Sequence, residues 1–168
     1  MPFITNGSTV ISFAEASDVL DADQRLFEAN EGLTDDVIEP ILIRSTQRIL
    51  HLIKGTDWWF DLNNQVGSGN YANKAQLPDV DPTKILYSQD DFTDLCVMYA
   101  LWNYILPKIA DFSKEDNAER AKIGFYQGKY QFLFDELINS GDWYDLQGGG
   151  SVTNAEKFPG NYVLKRIR

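Results

Sequence analysis

Cysteine is almost missing: Cys96 is the single one in 168 residues, so no disulfide can close within the chain and no cysteine-based zinc site can form. Histidine is equally scarce, with His51 alone. No G-x-S-x-G nucleophile elbow accompanies it, which leaves serine–histidine acyl transfer without a basis. Basic residues are also short, 15 Lys and Arg against 25 Asp and Glu for a net charge of −10. A static nucleic-acid groove needs clustered cations, and this balance argues against one. Long apolar runs are absent: the most apolar stretch, residues 95–106, is too short to cross a bilayer and contains Asn103. The first residues, Met1-Pro2-Phe3-Ile4-Thr5-Asn6-Gly7, lack the basic and apolar segments of a signal peptide. The expectation is a soluble chain with no membrane contact, suited to a reducing cytoplasm.

Hydrophobic residues make up 43% and aromatics 13%, enough to bury a core without staples. The charge is skewed along the chain. Residues 1–40 hold nine acids (Glu15, Asp18, Asp21, Asp23, Glu28, Glu31, Asp35, Asp36, Glu39) against Arg25, while the last four residues hold Lys165, Arg166 and Arg168. Two segments echo each other, I-K-G-T-D-W-W-F-D-L at 53–62 and I-N-S-G-D-W-Y-D-L at 138–146. Each ends a helical pattern with glycine and then sets Asp, Trp and a second aromatic in series. They are expected to be two separate aromatic plugs closing helix ends, Trp58-Trp59-Phe60 and Trp143-Tyr144, with each Trp N–H finding a carbonyl.

Periodicity and punctuation predict a mainly α fold, a bundle of about four helices with a polar loop or small β insertion and an extended C-terminal tail. Residues 1–11 read as extended, with a turn at Asn6-Gly7-Ser8. Ser12-Phe13-Ala14-Glu15 reads as a capping box for a helix over 13–30 that breaks near Asp21-Ala22-Asp23. A second helix starts near Thr34, carries Pro40, presents Val37, Ile38, Ile41, Ser45, Ile49, Leu52 and Ile53 on one face, and stops at Gly55. Residues 61–87 form the insertion, with short strands expected around Tyr71 and Ile85-Leu86-Tyr87. A third helix, apolar nearly all round, runs from Ser88 to about Ile109 with Pro107 kinking its end. A fourth, capped by Ser113, runs to about Asn139, and Gly124 and Gly128 offer a close helix contact. Gly148-Gly149-Gly150-Ser151 reads as a flexible joint, dividing a helical domain at 1–147 from a basic extended tail at 148–168.

The residues gather no catalytic, cofactor or metal site. Cys96 in an apolar helix reads as an inert core thiol, His51 as structural or exposed, and Gly67-Ser68-Gly69 lacks the strand and helix of a phosphate loop. Asp79 and Asp81 lack calcium-loop spacing.

The order of elements nevertheless resembles the head-to-tail adaptor (connector) proteins of tailed bacteriophages. An acidic first segment (Ser12 to Glu31) precedes a helix ending Arg48-Ile49-Leu50-His51-Leu52-Ile53 and a tryptophan (Trp58-Trp59-Phe60). A polar insertion follows, then a helix opening Asp90-Asp91-Phe92 and carrying aromatics to Tyr104, a charged helix with Tyr126 and Tyr130, and a basic-ended tail. Trp143-Tyr144 has no counterpart in that pattern. The resemblance implies a non-enzymatic virion protein of the neck, assembled in the host cytoplasm. Its copies would form a ring of twelve under the portal, which extends the DNA channel and gives the tail its platform. Its partners would be the portal protein, tail or neck proteins and further copies of itself, with DNA passing through unbound. The segment Tyr162, Val163, Leu164, Lys165, Arg166, Ile167 and Arg168 would dock on the portal. Asp18, Asp21, Asp23, Glu28 and Glu31 would form an acidic channel face that repels phosphate. The rival readings are a lower neck or tail-completion protein and, of another class, a small acidic regulatory binding module.

Overall fold

A computed structural model describes residues 3–29, 32–110, 113 and 118–160, and among these the chain is mainly helical. The strands are β1 (Ile4–Asn6) and β2 (Thr9–Ser12). The helices are α1 (Ala16–Ala22), α2 (Gln24–Ala29), α3 (Asp35–Lys54), α4 (Asp57–Asp61), α5 (Gln89–Ala100), α6 (Leu106–Ile109), α7 (Ala118–Ser140) and α8 (Asn154–Lys157). Two compact units divide the chain: Met1–Ile49 with Ser88–Glu136, and Leu50–Tyr87 with Leu137–Arg168.

The first unit opens with an antiparallel hairpin pairing Thr5 with Val10 and Asn6 with Thr9. Gly7, at φ +63°, supplies the positive dihedral a two-residue hairpin turn needs at its first position. The turn stands where the sequence places it. Ser12 does not cap the helix. Its hydroxyl folds back on Ala14, and the cap is Glu15, with the Asp18 side chain at the third helical position accepting from the Glu15 N–H at 2.8 Å. The break near Asp21-Ala22-Asp23 is present: α1 stops at Ala22, Asp23 donates its N–H to Val19, and α2 follows.

α3 begins beyond Thr34, whose carbonyl accepts from Val37 and Ile38, and Asp35 and Asp36 sit in the first turn where the helix dipole favours anions. Its buried face is Ile38, Ile41, Leu42, Ser45, Thr46 and Ile49. The stripe is rotated from the expected one: Val37 is exposed, and Leu42 and Thr46 are inside. The rotation follows from polar partners. Thr46 Oγ1 accepts from the Phe13 N–H at 3.0 Å, and Ser45 Oγ donates to Ile41 O at 2.8 Å, so both hydroxyls are satisfied in the core. On α5, Thr93 Oγ1 donates to Phe13 O at 2.7 Å, and the rings of Phe3, Phe13 and Phe92 meet at 4.5 to 6.3 Å.

α5 buries Phe92, Leu95, Cys96, Val97, Tyr99 and Ala100, in keeping with its nearly all-round apolar pattern, and Asp94 stays outside. Beyond Ala100 the backbone widens into a π turn, Leu101–Ile105, before α6. Pro107 accounts for it: proline cannot donate to the carbonyl four residues back and its ring crowds that carbonyl, so the preceding turn adopts the wider register. On α7, Tyr126 and Tyr130 face inward. The expectation of a close contact at Gly124 and Gly128 is not met among the described residues: both are exposed, and a Cβ at either would touch nothing within 4 Å.

The second unit contains α4, the insertion and α8. Thr56 Oγ1 caps α4 by accepting from the Trp59 N–H at 3.2 Å. No strand forms around Tyr71. The Asn64 side chain takes that role, accepting from the Tyr71 N–H at 2.7 Å and donating to its carbonyl. Asn73 and Asp81 cap two 3-10 turns, Lys74–Gln76 and Pro82–Lys84. Ile85 makes a single antiparallel bridge to Tyr144. The small sheet is therefore the N-terminal hairpin, and the insertion is built from helical turns.

Candidate interaction surfaces

The two Asp-Trp-aromatic segments meet. They are not separate plugs. Trp58 lies 4.8 Å from Trp143 and Trp59 5.0 Å from Tyr144, the latter edge-on, with Trp143 and Tyr144 5.6 Å apart. Phe60 is half-buried and makes none of these contacts. Trp59 Nε1 donates to Pro78 O at 3.1 Å, Trp143 Nε1 donates to Leu137 O at 2.8 Å, and the Tyr144 hydroxyl accepts from the Asp81 N–H at 3.3 Å. Trp58 Nε1 is buried without a partner. Burial pushes the Tyr144 hydroxyl pKa up. Enclosed rings, with two of the three indole N–H groups bonded to carbonyls, form a core, and a sugar-stacking platform would need open faces.

Glycine ends the two helices differently. Gly55 donates to His51 and Leu52 carbonyls. Gly141 takes φ +57°, donates to Leu137 O, and sits so close to the Lys157 carbonyl that a Cβ would come within 2.4 Å of it. That left-handed stop is the usual glycine ending of a helix. It turns the chain so that Trp143 enters the core.

The run Gly148–Gly150, expected as a joint, is a carboxylate-binding turn. Its three amides donate to the buried Asp145 carboxylate at 2.7, 3.1 and 2.7 Å. Burial opposes the charge, but the three N–H groups, helped by Lys84, outweigh it and hold the carboxyl below its ordinary value. Glu156, fully buried, accepts from the Thr153 N–H, the Thr153 hydroxyl and the Gln147 N–H. This capping box on α8 closes the segment against the unit. Residues 148–160 therefore belong to a folded body.

The acidic face divides. Asp21 and Glu28 are exposed and Asp18 is half-buried. Asp23 is inside, paired with Lys122 Nζ at 2.6 Å, with the Tyr126 hydroxyl also against it. Burial, followed by the Asp23 charge, pushes the Tyr126 pKa up to about 12. A carboxylate neutralised in this way contributes nothing to a repelling surface, so Asp23 leaves the set. Glu31 and the docking segment Tyr162, Val163, Leu164, Lys165, Arg166, Ile167 and Arg168 lie outside the described residues.

One cationic face interrupts the acidic first unit. Arg44 and Arg48, one turn apart on α3, are exposed. The Arg44 guanidinium lies 4.8 Å from the centre of the Tyr104 ring, and Arg48 stands beside the Tyr99 hydroxyl. Tyr99, Trp102, Tyr130 and Phe134 extend this into an aromatic cluster with neighbouring rings 5.2 to 5.7 Å apart. Within it Trp102 Nε1 and the Tyr130 hydroxyl are buried without an acceptor. On α7, Phe125 and Phe132 are exposed.

The remaining candidates are a buried thiol and a polar cleft. Cys96 is buried between Thr46 and Leu42 O, and burial pushes its thiol up to about 12, which makes it a poor nucleophile. Gly67-Ser68-Gly69 lines a cleft of about 470 Å³ with Asn63, Tyr71 and Gln147, and no carboxylate, histidine or cysteine lines it. Among the described residues no group of His, Cys, Asp and Glu is placed to hold a metal ion, and no helix is long and apolar enough to cross a membrane. Compared with known proteins, the chain has no match to a family, a curated protein or a solved structure.

Proposed function

We propose that this chain is a non-enzymatic head-to-tail adaptor of a tailed bacteriophage, a virion neck protein whose copies assemble as a ring beneath the portal. One observation carries the reading: the succession of elements it requires. An acidic helical segment leads into a long helix ending on tryptophan. A polar insertion, an apolar helix and a tyrosine-bearing helix follow, and a basic tail completes the order. The finer architecture belongs to the same reading, with α1–α2, α3, α5 and α7 as the helices of a four-part bundle. The exposed rings of Phe125 and Phe132 and the stacked Arg44 suit a protein that works by contact.

The tail is assigned to the portal, where Tyr162, Val163, Leu164 and Ile167 would add along a neighbouring backbone and Lys165, Arg166 and Arg168 would meet acids. Residues up to Gly160 belong to the folded body, since Glu156 and Pro159 are buried. The cut that tests the assignment therefore falls after Gly160 and not at the glycine run. A chain lacking 161–168 is expected to keep its helical signal and melting temperature while losing capture by portal rings. Capture at unchanged affinity contradicts the assignment.

A further inference from the structure

The first unit carries two charged patches of opposite sign. One is the Arg44–Arg48 face, where neither guanidinium pairs with a carboxylate among the described residues and Arg44 lies over the Tyr104 ring. The other is an acidic corner where α1 packs on α5, with Asp18 on α1 and with Asp91 and Asp94 three residues apart on one face of α5. Partial desolvation beside the α1–α5 packing, then the charges of Asp91 and Asp18, raise the Asp94 carboxyl above its ordinary value, with Lys129 offsetting in part. None of the ion pairs among the described residues engages Asp18, Asp91 or Asp94. One chain cannot join its own two patches: Asp94 and Tyr99 stand about 140° apart around a regular helix, and Asp94 is outside while Tyr99, beneath Arg48, is buried.

We propose that the Arg44–Arg48 face of one copy docks on the Asp18, Asp91 and Asp94 corner of the next, a head-to-tail contact between copies of this chain. Charge complementarity selects the occupant. A guanidinium already held over an aromatic ring has little freedom left to lose and can pair with a carboxylate through two parallel hydrogen bonds. Aromatic residues with arginine are the composition of interface hot spots. Copies each bearing −10 repel at long range, so an association between them has to place cations of one against anions of the other. The contact uses two different patches, so it propagates, closing into a ring when the rotation per copy allows. The choice of a second copy over an unrelated acidic protein rests on the adaptor reading.

Sedimentation velocity on the full chain tests it. The expected result is concentration-dependent self-association that weakens with salt, since exposed pairs are screened beyond roughly 8 Å at physiological ionic strength. Arg44→Glu with Arg48→Glu should weaken association about tenfold or more, and Asp91→Arg with Asp94→Arg should do the same. An equimolar mixture of the two double variants should associate again, because each supplies the patch the other's altered face now fits. That restoration also shows that both variants are folded. A monomer at every concentration up to about 1 mM, association indifferent to either reversal, or a mixture that stays apart overturns the proposal. If portal rings capture the chain while the charge rule fails, this contact is wrong and the adaptor reading stands. If the charge rule holds and no portal ring captures the chain, the adaptor reading is wrong and the contact stands.

Discussion

Gly141 and Asp145 together set the path of the second aromatic segment. Gly141 needs a left-handed backbone, which costs a residue with a Cβ about 1–2 kcal/mol. Its missing Cβ also leaves room for the Lys157 carbonyl and Trp58 Nε1, 2.4 and 2.7 Å from where that atom would lie. Gly141→Ala is therefore expected to cost about 2–4 kcal/mol, conformation and overpacking combined, read by urea denaturation. A loss below 1 kcal/mol, roughly that of an ordinary surface change, would mean the stop is not held here. Asp145 adds a pH signature. Its carboxyl is depressed in the folded state, so its stabilising effect is fully present above the ordinary aspartate pKa of about 3.9 and is lost as pH falls through the lower folded value. The stability gap between the native chain and Asp145→Asn should be widest above pH 4, near that ordinary value, and close toward pH 2, about two units below it. A gap that is flat with pH would detach the carboxylate from the glycine amides. Asp79, exposed in its pair with Lys54 at 2.8 Å, should show little of either effect.

Among the elements, α7 separates glycine that is needed from glycine that is not. Gly124 and Gly128 lie in an exposed helix interior with open space where a Cβ would go. Gly124→Ala and Gly128→Ala should each stabilise the chain by about 0.5–1 kcal/mol in thermal or denaturant unfolding, and destabilisation by either would reveal a neighbour. Asp23→Ala should act in the other direction. It strands Lys122 beside the buried end of α1, at a cost of about 2–3 kcal/mol, under the full value of a buried pair because the lysine head is partly in water. Double-mutant comparison with Lys122→Ala measures the coupling. The starts and stops of these elements were legible because local chemistry sets them: Gly7 at the hairpin, the acids after Thr34, Gly55 and Gly141 at helix ends. The π turn at 101–105 was not, since Pro107 signals a disturbance without specifying how the backbone absorbs it. The burial of Asp23 was hidden as well, because its partner lies 99 residues away.

At the scale of the whole molecule, the sequence misled most where distant segments combine. The two Asp-Trp echoes read as independent helix endings, yet Trp58 and Trp143 pack with ring centroids 4.8 Å apart in one core. Periodicity reports which face of a helix is apolar but not which remote segment covers it. For the same reason the division into Met1–Ile49 with Ser88–Glu136 and Leu50–Tyr87 with Leu137–Arg168 could not be read from composition along the chain. The interaction surfaces were half visible: the spacing of Arg44 and Arg48 sets them one turn apart on a helix, but the position of Arg44 over Tyr104 and of Arg48 beside Tyr99 required the fold.

If this chain is the proposed adaptor, electron microscopy of the full chain mixed with portal rings of a tailed phage should show it. Portal rings are then expected to carry an added tier of this chain at the tail-facing end, with the central channel open through both. Portal rings that remain bare at saturating concentrations of a folded chain would contradict it.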